Sequence, residues 1–197
     1  PMSHYTPARC PLRGLFRGET FVLMLFALLG MQRLITANSF ITLYLGLELM
    51  SLSLYVMVAF RRARLESNAA ALKSFLLGAF ASGFLLCGIA LLYGATGTTN
   101  LAQMGASLAD TTLLGNPLLL IGSLLVFVGF AFKVAAVPFH MWTPDAYEGA
   151  PTSVTGFMSA GAKAAGFAAL LRVLLRALGP VEAQWGDLIA VTAFLTM

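Results

Sequence analysis

Lys73, Lys133, Lys163 and Glu48 are charged residues set inside apolar runs, and the three lysines are all that the chain has. A lysine or an acid at the centre of a membrane helix costs roughly 2.5–3.5 kcal/mol to insert, and several in one bundle cost on the order of 10 kcal/mol. That cost persists unless the groups pair with one another or face a hydrated path. Amines and carboxylates can take up and release protons, so the chemistry they point to is proton transfer through an apolar interior. The nine arginines, by contrast, sit at or near the ends of the apolar runs.

Each candidate has a functional account and a structural one. Glu48, in Leu45-Gly46-Leu47-Glu48-Leu49-Met50, is near the middle of its run. It is either a titratable proton site or an interhelical bond that fixes packing. Lys133 precedes Pro138, whose ring removes a backbone donor and clashes with the carbonyl of Val134. A helix break is therefore expected beside this lysine, and broken membrane helices line cavities and ion sites. The structural account is a lysine that snorkels to the interface.

Lys163 is flanked by Ser159-Ala160-Gly161-Ala162 and Ala164-Ala165-Gly166. Small residues let a neighbouring helix approach closely and leave room for water, but a packing seam alone does not explain the charge. Lys73 lies about one turn into its run, beside an arginine-rich loop, and snorkelling explains it as well as function does. His140 suits a relay, because imidazole is the side chain whose ordinary proton exchange falls near neutral pH, and a histidine bonded into a polar turn is an equal account. Trp142 and Tyr147 read as interfacial anchors, and Asp145, Glu148 and Thr152 as helix caps. No chemistry is assigned to those five.

Positioning these groups requires membrane-spanning helices. Apolar residues make up 59% of the chain, charged residues 10%, and mean hydropathy is +0.86. A water-facing globule is nearer a quarter charged, so lipid is the expected solvent. The fold class is an all-α membrane protein, a polytopic bundle with a broken helix near Pro138. A span needs about 20 apolar residues, and helix satisfies its own backbone there. After a tail over 1–18, five spans fit within 19–180, at about 20–36, 38–60, 69–93, 116–140 and 153–178. A further one, cut short, begins in 181–197 near Trp185. The stretch 94–115 is a loop with a short surface helix near Leu101 to Leu108, and Thr143 to Thr152 is a polar turn.

The net charge of +4 forms no stripe of the kind nucleic acid needs. Loop arginines place the N-terminal tail, with Arg9, Arg13 and Arg17, and the Arg61/Arg62/Arg64 loop on the cytoplasmic side; Arg172 and Arg176 disagree. Cys10 and Cys87 are distant in sequence, and Cys87 reads as a small core residue. No metal-ligand spacing, iron–sulfur cysteine cluster, haem histidine pair or nucleotide loop is present, so no cofactor or metal site is expected in this chain. The chain starts at Pro1 and stops at Met197 within an apolar run, and so reads as a piece of a longer protein. Arginines before an apolar run resemble a signal peptide, but no small-x-small cleavage site follows.

The stretch Lys133-Val-Ala-Ala-Val-Pro-Phe-His-Met-Trp-Thr-Pro-Asp-Ala-Tyr-Glu-Gly-Ala-Pro-Thr152 resembles the antiporter-like membrane subunits of respiratory complex I, NADH-quinone oxidoreductase. Its Pro-Phe-His-x-Trp-x-Pro-Asp core is similar to that of related cation/proton antiporters. Tyr44 to Leu52 and Ala71 to Phe75 support the same family, and Ser153 departs from its usual proline. The resemblance implies one antiporter-like repeat of a two-repeat protein with about fourteen helices. It further implies proton translocation through Glu48, Lys133 and Lys163, with Lys73 and His140 as secondary candidates, and a Glu48–Lys133 ion pair that keeps the amine charged. The implied partners are other membrane and peripheral complex I subunits, FMN and iron–sulfur clusters being held by the latter. The implied setting is the inner (plasma) membrane of a bacterium, multi-pass in the bilayer, with no nucleic acid. A stand-alone cation/proton antiporter subunit is the alternative.

Overall fold

The computed structural model describes residues 18–61, 63–109 and 115–197. Arg9, Cys10, Arg13, Arg17 and Arg62 therefore lie outside the described residues. The elements in order are α1 (Gly18–Thr36), α2 (Phe40–Val58), α3 (Leu65–Thr96), α4 (Leu101–Leu108), α5 (Pro117–Val134), α6 (Thr143–Gly149), α7 (Thr152–Phe157), a π-helical turn (Met158–Ala162), α8 (Lys163–Arg176) and α9 (Glu182–Thr196). Among the described residues, five helical stretches are long and apolar enough to cross a membrane: α1, α2, α3, α5 and the run Thr152–Arg176. The chain is thus an all-α polytopic membrane protein. Large apolar side chains also point outward, among them Leu25 and Phe80, as lipid-facing helices require.

Glycines set the closest helix contacts. A Cβ added at Gly30 would lie 2.5 Å from the Met50 backbone nitrogen, and one at Gly46 would lie 2.7 Å from that of Leu34. These two glycines bring α1 and α2 into backbone contact. Gly88 on α3 and Gly122 on α5 do the same, with a Cβ at Gly88 reaching within 2.8 Å of the Gly122 carbonyl oxygen. Small residues at such crossings take the place of the hydrophobic drive that lipid does not supply.

Asn100 starts α4 by accepting from the backbone N–H groups of Ala102 and Gln103, as an N-cap does. Leu101, Met104 and Leu108 bury one face of this short helix. The turn before α2 meets the turn before α4: Phe40 N–H donates to the Thr99 carbonyl at 2.9 Å, and Leu101 N–H to that of Asn38 at 2.9 Å. Arg172 joins this end of the bundle, donating from Nε to the Ala37 carbonyl at 2.8 Å and from Nη2 to Asn38 Oδ1 at 2.6 Å. That bonding gives a structural reason for an arginine that the loop charges alone would place elsewhere.

Four expectations change. The fourth span does not run to His140; its helix ends at Val134, with Ala135 in the left-handed region at φ 61°. The Ala136 N–H turns back to the Ala131 carbonyl at 2.9 Å, a Schellman-type closure. Pro138 explains the early stop, because its missing N–H would have served Val134. The polar turn after it contains a helix, α6. Cys87 is exposed on the outer face of α3, not a core residue, because its neighbours Leu85 and Gly88 occupy the buried side. Trp142 is buried at 8% exposure, not an interfacial anchor: its indole stacks on Phe132 at 5.4 Å and donates to the Phe132 carbonyl at 3.0 Å.

The left-handed residue offers a test of the break. Ala135→Gly removes the Cβ penalty and should leave the assembled protein at least as stable. Ala135→Val should destabilise it by about 1–2 kcal/mol, read as a lower unfolding temperature of the purified subunit.

Candidate functional site

The break between α5 and α6 organises the site. In an unbroken helix the Val134 carbonyl would accept from the N–H of residue 138, and proline has none. Lys163 Nζ takes that carbonyl instead, donating at 3.2 Å. The π-helical turn Met158–Ala162 immediately precedes Lys163. Such a turn inserts one extra residue per turn and shifts the facing of everything after it. Gly166, one turn further on, faces Val134 closely: a Cβ there would lie 3.4 Å from Val134 Cγ1 and 4.0 Å from Lys133 Cβ. The small residues around Lys163 therefore bring α8 onto the broken end of α5.

Lys133 is the last residue but one of α5 and half-buried. Its ammonium donates to Ser51 Oγ at 2.6 Å and to Tyr55 Oη at 3.2 Å, and lies 5.5 Å from the Tyr55 ring centroid. Ser51 and Tyr55 stand one turn apart on one face of α2. Phe75 packs edge-on against the Tyr55 ring at 6.1 Å. Both lysines line one cavity of about 30 Å³, with Ser51, Tyr55 and Tyr147 on its wall. Lys163 Nζ lies 5.9 Å from the Tyr147 ring centroid. Each amine is thus bonded to neutral oxygens and faces an aromatic ring, with no carboxylate of the described residues in contact with it.

The Glu48–Lys133 ion pair that the family resemblance implied is not formed. Glu48 instead accepts from Ser82 Oγ of α3, and Lys133 is satisfied by the two α2 hydroxyls. Glu48 precedes Ser51 by three residues, on the same helix face, so it lies one turn away from the groups that bind the amine. The ion pair among the described residues is Lys73 with Asp145, both side chains half-exposed, and it ties α3 to α6. Lys73 is thereby separate from the two-lysine cavity. His140 is exposed, and its carbonyl accepts from the Thr143 N–H at 3.0 Å; its ring is not on the cavity wall. Among the described residues no group of three or more His, Cys, Asp and Glu side chains gathers as a metal site.

Sequence reasoning passed over Ser51, Tyr55 and Ser82, and it read Asp145 as a helix cap and Tyr147 as an interfacial anchor without chemistry. The spacing of Glu48, Ser51 and Tyr55, three and then four residues apart, marks one polar stripe on an apolar helix and was the available signal for two of them. Ser82 carried no signal, since serine is common in membrane helices, and the partners of Asp145 and Tyr147 depend on where the break turns the chain. Gly78 supplies a further dependence: a Cβ there would meet Tyr55 Oη at 1.9 Å. Gly78→Ala should push the Tyr55 hydroxyl off Lys133 and destabilise the folded protein by about 1.5–3 kcal/mol, the scale of one lost hydrogen bond to a charged group. Tyr55→Phe should destabilise it in the same direction, both read as a lower unfolding temperature.

Comparisons with known proteins fit this geometry. Residues 37–197 match the family model described as NADH:quinone oxidoreductase/Mrp antiporter, TM. The NADH-quinone oxidoreductase subunit N of Trichlorobacter lovleyi is 54% identical over 91% of this chain and 37% of its own length. That of Magnetococcus marinus is 53% identical, again over 91% of this chain and 37% of its own length. Among solved structures, a chain of respiratory complex I from Thermus thermophilus superimposes with a TM-score of 0.70 at 44% identity, over 80% of this chain and 34% of that one. The chain thus spans about two-fifths of the length of the curated relatives it matches. Matched over most of its residues, with lysines at a broken helix and in the helix that follows, the chain belongs to the membrane family shared by NADH:quinone oxidoreductases and Mrp antiporters.

Proposed function

We propose that this chain carries protons as part of a membrane subunit of a bacterial NADH-quinone oxidoreductase. On this reading electrons pass from NADH to quinone through flavin and iron–sulfur centres in peripheral partner subunits, and the chain lies in the inner membrane among other membrane subunits. The observation that carries the reading is that Lys133 and Lys163 open onto one cavity at a break in a membrane helix. A neutral donor could serve the Val134 carbonyl, and an apolar residue could fill the space beside Ser51 and Tyr55, each at lower cost than a buried amine.

The proton sits on Lys133 while Ser51 and Tyr55 accept from its ammonium. Glu48 acts on that amine through its field from one helical turn away, since opposite charge favours the protonated form. Ser82 anchors the carboxylate on the α3 side. A change in that field, driven from partner subunits, lets Lys133 release its proton to Lys163. The proton then passes toward the remainder of the full-length subunit. Hydroxyl and carbonyl partners suit this cycle, because losing the proton leaves no anion stranded beside a neutral amine.

Lys133→Ala in the full-length subunit of an assembled complex should abolish NADH-driven proton pumping, measured with a pH-sensitive dye in membrane vesicles. Glu48→Gln should lower it by roughly tenfold without abolishing it, as loss of a field term of about 1.4 kcal/mol would. Undiminished pumping by an assembled Lys133→Ala complex would refute the proposal.

A further inference from the structure

The transfer just described uses two amines and leaves one polar group in their cavity unassigned. Tyr147, on α6, lines the cavity together with Lys133 and Lys163. Its hydroxyl oxygen is buried and meets no donor or acceptor among the described residues. Buried hydroxyls are bonded in the great majority of proteins, to protein or to ordered water. The cavity measures about 30 Å³, and one water needs roughly 10–15 Å³ of such space. Space, an orphan hydroxyl and two amines coincide there.

The bonding of the amines leaves room for the same partner. An ammonium has three donors. Lys133 commits two, to Ser51 and Tyr55, and Lys163 commits one, to the Val134 carbonyl. Each therefore retains a donor that no described oxygen takes. The Tyr147 ring already sits 5.9 Å from Lys163 Nζ. Its backbone is held in place as well, because Thr155 Oγ1 donates to the Tyr147 carbonyl at 3.1 Å. Burial pushes the phenol above its ordinary value of 10.0, so the hydroxyl keeps its proton and can both donate and accept.

We propose that Tyr147 is a positioning residue for proton exchange between Lys133 and Lys163, its hydroxyl holding a cavity water between the amines and its ring facing the Lys163 cation. The proposal rests on the reading of the two lysines as a proton-exchanging pair. In the exchange, an N–H bond of the Lys133 ammonium breaks and its proton bonds to the water oxygen. One of the water's own O–H bonds breaks, and that proton bonds to the lone pair of neutral Lys163. Lys133 ends neutral, Lys163 ends as ammonium, and the water is restored. Tyr147 neither gains nor loses a proton; it fixes where the water stands.

The test uses the full-length subunit in its assembled complex, with proton pumping per NADH oxidised and the H2O/D2O rate ratio as readouts. Tyr147→Phe keeps the ring and removes the hydroxyl. Pumping should fall by roughly tenfold and the isotope ratio should rise, because a poorly placed water makes proton transfer limiting. Tyr147→His, which can still donate and accept, should recover part of the loss. Ala162→Val, on the π-helical turn, narrows the same cavity with Tyr147 intact, and should reproduce the effect even if Tyr147→Phe fails to assemble. Lys163→Ala, run in parallel, separates the two levels. If it abolishes pumping while assembled Tyr147→Phe or Ala162→Val complexes pump with wild-type yield and isotope ratio, the role of Tyr147 is overturned and the lysine pair stands. If Lys163→Ala itself pumps normally, the lysine pair falls and the Tyr147 proposal with it.

Discussion

Pro138 has no backbone N–H, and the carbonyl of Val134 therefore has no helical partner. In water such a group would be solvated; inside a membrane bundle it must be met by protein or by a confined water. Lys163 meets it, which draws α8 onto the end of α5 and places that amine on the cavity that Lys133 already lines. The Trp142 indole gives a second donor to the Phe132 carbonyl, which also accepts from the Ala135 N–H at the break. The left-handed Ala135 lets the chain turn away while the Ala135 and Ala136 N–H groups bond back to the Phe132 and Ala131 carbonyls. A backbone defect that would be a liability in a lipid-facing helix becomes the structural basis of a polar site.

The charges follow the same logic. Burying an ion pair removes both partners from water, and breaking one leaves an uncompensated charge. The deep amines here avoid that liability by binding neutral oxygens, with the Tyr55 and Tyr147 rings facing the cations. The carboxylate of Glu48 stands apart, on the Ser82 hydroxyl. The ion pair that does form, Lys73 with Asp145, is half-exposed and links α3 to α6, where it steadies the segment that carries Tyr147. Charge that moves and charge that holds structure are thus kept at different places.

Much of this was legible in the sequence, and what was not has a common cause. Length and apolarity located the spans, and Pro138 marked the break beside Lys133. Rotational phase was not legible. Helices that are apolar all round do not encode which side faces a neighbour, so Cys87 read as core, and nothing in the spacing corrected the Glu48–Lys133 pair that the family resemblance implied. The length of a break is equally silent: the helix stops at Val134, well short of His140, because the Pro138 clash acts backward along the chain. The π-helical turn before Lys163 has no periodic signature, and without it the meeting of Lys163 and Val134 could not be read.

The account depends on the broken end of α5 holding both amines at one place. A high-resolution structure of the full-length subunit within its assembled complex measures this directly. It should show α5 ending at Val134, the Lys163 amine within hydrogen-bonding distance of the Val134 carbonyl, and Lys133 on the hydroxyls of Ser51 and Tyr55. A helix continuing through Pro138, or Lys163 turned away from the cavity toward lipid, would contradict it.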